Sequence, residues 1–393
     1  MTDVYLVSAA RTAVGTFGGS LSNEKPGELC SQTIRAALER GGVSPELVEH
    51  TVIGSVIPCE PRDAYVARIA AVEAGVPHAA PALTLNRLCG SGMQAIVSAA
   101  QHIMLGDHQI AIGGGAEIMS RAPYFVPGVR FGLKMGDGQL QDGMLGALHD
   151  PFHRYHMGIT AENVAEKYEI TREQQDEFAA ESQRRAMAAI EAGYFKDQIV
   201  PVEVKVKRKT VEFDTDEHVK AGTTAETLAG LRPAFKKDGG TVTAGNASGI
   251  NDGAAATILA SEAAVKEHGL KPLARLVSYG HAGVDPAYMG IGPVPASQIA
   301  LKKAGISKDV LDVIESNEAF AAQACAVSKQ LDLDPAKVNP NGSGISLGHP
   351  IGATGAILVT KLAYELQRTG GKYGLATMCI GGGQGIATVW EAV

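Results

Sequence analysis

The chain has little of several things that would point elsewhere. Its five cysteines, Cys30, Cys59, Cys89, Cys325 and Cys379, are scattered over 393 residues. They are odd in number and form no CxxC pair, so neither a disulfide framework nor a dithiol or zinc site fits them. The thiols are expected to be reduced, in a cytoplasm, and any that matter should act as thiolates. Positive charge is not in excess: a net charge of −7 argues against a nucleic-acid partner, which needs a basic surface. No apolar run is long enough to span a bilayer, so no membrane role is expected. The start, M-T-D-V-Y-L-V-S-A-A-R-T, runs almost directly into a strand and lacks a basic-then-apolar signal region.

Glycine, by contrast, is plentiful. Its 47 residues lie in short clusters, a pattern suited to tight turns and to backbone close to a ligand. The length suits two or more domains of a soluble globular protein. The two ends of the chain are alike in outline. Cys89-Gly90-Ser91-Gly92 leads into a helix, a turn at Gly106-Asp107, a strand from Gln109 to Ile112, then Gly113-Gly114-Gly115. Asn341-Gly342-Ser343-Gly344 precedes a helix from Pro350 to about Gln367, a turn at Gly370-Gly371, a strand from Leu375 to Met378, then Gly381-Gly382-Gly383. That shared order argues for an internal duplication of α/β layer units. Residues from about 121 to 250 differ in texture, with the charged helix Thr171 to Gly193 and the basic strand V-E-V-K-V-K-R-K. They read as an insertion covering one face, of the kind that closes over a ligand.

Four segments could carry chemistry. In L-N-R-L-C-G-S-G, Cys89 stands where an extended run turns through glycine into a helix. Unpaired N–H groups and the helix dipole there stabilise a thiolate, although a small residue filling a turn would look the same. In S-L-G-H-P-I-G-A-T-G, Pro350 suits the first position of a helix and fixes His349 at its entrance, as a turn residue or as the partner of Cys89. In T-M-C-I-G-G-G-Q-G, Cys379 closes a strand at the mouth of a loop that is either a hairpin turn or an oxyanion hole. In V-I-E-S-N-E-A-F, Asn317 is either an N-cap or a group whose amide holds a water against developing negative charge. His149, His153 and His156 recur at helical spacing, but Pro151 interrupts the run and no further ligand completes it, so no metal site is expected. His156, followed by Met157, is better suited to a pocket wall.

Together N-R-L-C-G-S-G, N-E-A-F, G-H-P-I-G-A-T-G and C-I-G-G-G resemble the signature set of the thiolase family, in family order from Val4 to Trp390. Within the family the chain is most similar to bacterial β-ketothiolases, including those that feed polyhydroxyalkanoate synthesis. The resemblance implies the duplicated α/β thiolase fold, a five-layer α-β-α-β-α stack with an inserted loop domain, divided as residues 1–269 and 270–393. It implies that Cys89 takes the acyl group as a thioester, that His349 activates it, and that Cys379 moves the proton at the α-carbon. Asn317 through a water, with His349, would form one oxyanion hole; the N–H groups of Cys89 and Gly381 would form the other. For coenzyme A it points to Lys220, Thr227, Ala244 and Ser248 near the nucleotide or pantetheine, and to Leu148, His156, Met157, Phe235 and Phe320 along a tunnel. Many relatives carry arginine where this chain has Lys220, which lacks the bidentate fork. Ser248 could equally be a plain turn residue, the basic strand a solvated edge, and the tunnel residues core packing. The implied reaction joins two acetyl-CoA into acetoacetyl-CoA and CoA, or cleaves longer 3-ketoacyl-CoA with CoA. It needs no cofactor, and the implied assembly is a homotetramer contacting through the insertion. A ketoacyl synthase-like enzyme, or an inert acyl-CoA binder, would be the alternative.

Overall fold

A computed structural model describes residues 2–206 and 208–393. The first repeat contains β1 (Val4–Thr12), α1 (Pro26–Gly41), β2 (His50–Gly54), α2 (Val66–Glu73), β3 (Ala82–Leu85), α3 (Ser91–Leu105) and β4 (Ile110–Ile118). Then come α4 (Met157–Tyr168) and α5 (Arg172–Ala192) of the inserted segment, before β5 (Asn251–Ser261) completes the repeat. The second contains β6 (Ala274–Gly283), α6 (Pro293–Ala304), β7 (Val313–Ser316), α7 (Ala321–Leu331), α8 (Thr354–Thr369), β8 (Tyr373–Ile380) and β9 (Gln384–Ala392).

The spatial order of these strands is β7-β8-β9-β6-β1-β5-β4-β2-β3. From the middle outward both halves read alike: two antiparallel pairings, then a parallel one. The duplication is therefore present in the topology. The halves join edge to edge at β1 and β6 through just Tyr5 with Arg275 and Leu6 with Ala274.

Alternation along the strands makes the layers. In β4, Ile110, Ile112, Ala116 and Ile118 face a core shared with α1 and α2, while Ala111 faces the other way. In β9, Ala387 and Val389 face α6 and α7, while Ile386 and Trp390 point inward. The inward faces of both sheets close on α3 and α8, giving the order helices, sheet, helices, sheet, helices. Strands sandwiched in this way are buried on both faces and read as continuous apolar runs. The central helices approach so closely that a Cβ on Gly92 would lie 2.8 Å from the Ala356 nitrogen. A Cβ on Gly355 would strike the Met93 backbone. Glycine at this crossing brings the two helix entrances together.

Three sequence expectations need correction. The second central helix begins at Thr354, not Pro350, and Pro350 accepts the N–H groups of Ala353 and Thr354 from a preceding turn. Gly113-Gly114-Gly115 does not follow a strand but lies inside β4, where a Cβ on Gly115 would strike the Gly352 carbonyl. Asn317 is not an N-cap; α7 starts at Ala321 after Phe320.

The inserted segment is fastened by buried polar contacts. Arg11 of β1 donates to both carboxylate oxygens of Asp216, at 2.8 and 3.0 Å, and to Gln198 at 2.8 Å. Such a buried pair is tolerable only with full hydrogen bonding of this kind. Helix α5 reaches the second repeat through Ser182, which lies 2.6 Å from Glu318 and 2.8 Å from Ser346. The basic strand Val202–Val206 pairs only with Lys209–Phe213, its lysines exposed; Lys207 lies outside the described residues. Between Tyr124 and Leu140 a loop exposes Phe125, Phe131, Leu133 and Met135, with Phe131 91% exposed.

Candidate active site

Cys89 is the residue before the N-cap of α3. Its loop is locked by side chains: Asn86 accepts the Leu88 N–H at 2.8 Å, and Ser91 accepts the Arg87 N–H at 2.8 Å while donating to the Leu88 carbonyl at 2.6 Å. Leu88 is held at φ 46°, a left-handed conformation costly for a branched residue. The Cys89 sulfur is met by its own N–H and by that of Gly381. These favour the thiolate, but burial outweighs them and pushes the thiol up to about 11. The N–H groups at the helix entrance favour the thiolate, as the sequence suggested, without by themselves ionising Cys89. A base is needed.

His349, which lines the same cavity as Cys89, is a candidate for that role. Its N–H is anchored to the Asn251 carboxamide oxygen at 2.9 Å, and Asn251 in turn donates to the Gly15 carbonyl at 3.0 Å. Thr354 donates its hydroxyl proton to the Pro350 carbonyl at 2.9 Å, so its oxygen is left to accept from His349 Nδ1 at 2.7 Å. This fixes the tautomer: Nδ1 carries the hydrogen and Nε2 presents a lone pair. The Asn317 side-chain amide lies 3.4 Å from that Nε2, while its carboxamide oxygen has no protein partner. Burial lowers His349 to about 4, keeping the ring neutral.

Cys379 is the penultimate residue of the buried β8, and Gly381 opens the turn into β9 at Gln384. Gly382 and Gly383 take φ of 80° and 84° there, so the triple glycine is a hairpin turn and also aims the Gly381 N–H at Cys89. Burial raises the Cys379 thiol strongly, and the neighbouring Cys89 raises it further.

Cys89, His349, Cys379 and Gly381 line one cavity of about 420 Å³, within the usual range for small-molecule sites. Leu148, His156, Met157, Phe235, Ala244, Ser248 and Phe320 line it too. His156 caps α4 by accepting the Gly158 N–H at 3.0 Å. It stacks on Phe235 at 4.6 Å, and Phe235 meets Phe320 edge-on at 6.2 Å. Burial, with the nearby His149, lowers His156 to about 4, so this aromatic wall is uncharged. His153 turns away to Asp150 at 2.9 Å, and no group of three metal-holding side chains occurs among the described residues. Ser248 is tied by its N–H to the Ala319 carbonyl at 2.9 Å, which sets the wall beside Phe320.

Asn317 sits behind His349 rather than on the cavity surface. Two expected residues are not brought in. Lys220 lines a separate shallow groove with Arg184 and Glu191, and Thr227 completes a capping box with Thr224. Asn251 and Thr354 were missed by sequence reasoning. The signal for Thr354 was its place in G-H-P-I-G-A-T-G, one helical turn beyond the proline. Asn251 lies three residues beyond Ser248 and carries no mark of its own.

Residues 4–263 match the thiolase N-terminal domain, and residues 270–392 match the thiolase C-terminal domain. The chain belongs to the thiolase family. It is 65% identical to beta-ketothiolase BktB of Cupriavidus necator, over 100% of this chain and 99% of that one. It is 54% identical to acetyl-CoA acetyltransferase of Pseudomonas aeruginosa, over 98% of each. This thiolase superposes on human mitochondrial 3-ketoacyl-CoA thiolase in complex with CoA with a TM-score of 0.96 at 48% identity, covering 100% of this chain and 98% of that one. No described helix is long and apolar enough to cross a membrane.

Proposed function

We propose that this thiolase condenses two acetyl-CoA reversibly to acetoacetyl-CoA and CoA, and cleaves short and medium 3-ketoacyl-CoA with CoA. The observation that carries this is the meeting of two thiols from different repeats with one neutral imidazole on a single cavity. His349 Nε2 takes the Cys89 proton as the sulfur attacks the thioester carbonyl. The carbonyl oxygen becomes an oxyanion that accepts the Cys89 and Gly381 N–H groups. Collapse expels CoA, which leaves with the proton from His349, and the acetyl group stays on Cys89.

The second half needs a base for a very weak carbon acid. Cys379 stands under the same cavity, its thiol raised by burial and by Cys89. With Cys89 acylated, no charge can form on its sulfur beside Cys379, and the Cys379 proton passes to the neutral His349 Nε2. The thiolate then takes the α-proton of the second acetyl-CoA. The enolate oxygen is stabilised by the Nε2–H that His349 now carries and by Asn317 through a water, and the carbanion attacks the acetyl carbonyl. The carbon–carbon bond forms as the Cys89 sulfur leaves and takes that proton from His349.

Coenzyme A enters along the aromatic wall of His156, Phe235 and Phe320, with Ala244 and Ser248 beside the pantetheine; Lys220 and Thr227 would face the nucleotide from outside the cavity. No cofactor takes part. The halves 1–269 and 270–393 act as two domains, and the exposed apolar loop at Phe131 makes the homotetramer. In a cytoplasm the condensation direction would supply acyl chains for polyhydroxyalkanoate synthesis, and the reverse direction would serve fatty acid breakdown.

Incubation with acetyl-CoA, followed by peptide mass spectrometry, is expected to show one acetyl group on the Cys89 peptide. An unmodified Cys89 with label on another residue would overturn the assignment.

A further inference from the structure

Strand β4 is buried along its whole length, yet its eighth residue is a glutamate with no exposed surface. A carboxylate in such a place must be fully hydrogen-bonded or it costs several kcal/mol. Glu117 does not pair with a cation. One carboxylate oxygen accepts the Val56 N–H at 2.9 Å and the other accepts the Ile57 N–H at 3.0 Å. The Gly352 N–H donates to the same group. A Cβ on Gly352 would collide with a Glu117 oxygen, so only glycine lets the two come this close.

These donors belong to two different loops. Val56 and Ile57 follow β2 in the first repeat, and Gly352 lies three residues beyond His349 in the second. The first loop also holds the nucleophile's own loop: Asn86 donates to the Val56 carbonyl at 3.2 Å, and Ser55 donates to the Leu85 carbonyl at 3.0 Å. Val56, Ile57 and Ile351 pack in one apolar cluster against Leu88 and Cys89. Glu117 thus ties the loop that holds Cys89 and the His349 loop to a common point by hydrogen bonds. It does not line the substrate cavity.

We propose that Glu117 is a positioning residue, which sets the separation of Cys89 and His349 by clamping one backbone loop from each repeat. The inference rests on the reading of Cys89 and His349 as nucleophile and base. A positioning error of about 1 Å can cost on the order of 100-fold in rate. The role therefore predicts a large loss of Cys89 activation with little change in KM. Glu117→Gln keeps the shape but turns one acceptor into a donor facing an N–H group. Glu117→Asp keeps the acceptors and withdraws them by one methylene.

The test is the rate at which iodoacetamide alkylates Cys89 near neutral pH, read on its peptide by mass spectrometry. Four proteins are compared: the natural chain, a Glu117 variant, His349→Ala and the double variant. Both Glu117 substitutions are expected to slow alkylation at least tenfold in the natural background and less than twofold in His349→Ala, because contacting partners are non-additive. An equal effect in both backgrounds, or none in either, overturns the positioning role. If neither Glu117 variant yields folded protein, the residue serves the fold and the inference is likewise overturned. Should His349→Ala alone leave alkylation unchanged, the nucleophile–base reading fails instead, and the two failures are told apart.

Discussion

The imidazole Nδ1 of His349 lies 2.7 Å from the hydroxyl oxygen of Thr354, whose own proton is committed to the Pro350 carbonyl. A threonine on the first turn of the second central helix thereby decides which nitrogen of the histidine can act as base. Thr354→Val is nearly isosteric but leaves Nδ1–H unpaired, and it frees the ring to adopt the other tautomer. We expect acetyl transfer to Cys89 to fall by about tenfold to 100-fold, with KM for acetyl-CoA nearly unchanged. Thr354→Ser should recover most of the rate. Steady-state kinetics on the three proteins checks this.

Cys379→Ser is expected to separate the two half-reactions. The serine hydroxyl is too weak an acid to serve as the α-carbon base, so condensation should fall by at least 100-fold. Acetylation of Cys89 should persist, because Cys379 takes no part in it. Rapid-quench detection of acetyl-enzyme beside a coupled assay of acetoacetyl-CoA reads both. Condensation at near the natural rate would show that Cys379 is not the base.

With His349 at about 4 in the fold, acyl transfer should hold as pH falls toward neutrality and below, then drop near pH 4 as the ring protonates. The same group affects stability. A free histidine titrates at 6.5, so between 6.5 and about 4 the unfolded chain binds more protons, and stability falls as pH falls. His156, also lowered to about 4, acts in the same direction. Burial pushes Glu117 the other way, but the three N–H groups facing its oxygens hold the charged carboxylate. Thermal midpoints measured across pH should flatten on the acid side in His349→Ala.

The loop exposing Phe125, Phe131, Leu133 and Met135 presents the apolar patch expected of a subunit contact. If the proposed homotetramer forms through this loop, Phe131→Asp should lower the sedimentation coefficient at micromolar concentration, with Cys89 acetylation intact. A mass unchanged by the substitution would place the contact elsewhere.

Much of this molecule was legible in its sequence. The repeated order of G-S-G, helix, turn and strand signalled the duplication, and glycine-flanked Cys89, His349 and Cys379 signalled the site. What stayed hidden depends on contacts between distant segments. Gly113 to Gly115 looked like a loop because glycine usually marks one. They are strand residues whose faces are tightly covered, Gly113 by Ile96 of α3, Gly114 by Ala255 of β5 and Gly115 by Gly352 of the His349 loop, which nothing local records. Pro350 looked like a helix start because its ring suits that position, but the helix waits for Thr354 while the turn carries His349 to its partners. The local N–H groups expected at Cys89 are there, but the depth of burial that outweighs them is not legible in the segment. Lys220 and Thr227 were placed by resemblance alone, and no periodicity could have said on which side of the inserted segment they fall.

The strand-to-strand join between the repeats is only two residue pairs wide, at Tyr5 and Leu6 against Arg275 and Ala274. The attacking sulfur comes from one side of it, and the imidazole and the second sulfur from the other. Neither piece, cut free, would hold a complete set of reactive groups. A break in the linker near Gly269 should therefore give two inert fragments whose reunion alone restores turnover, which makes the enzyme a natural reporter of its own reassembly.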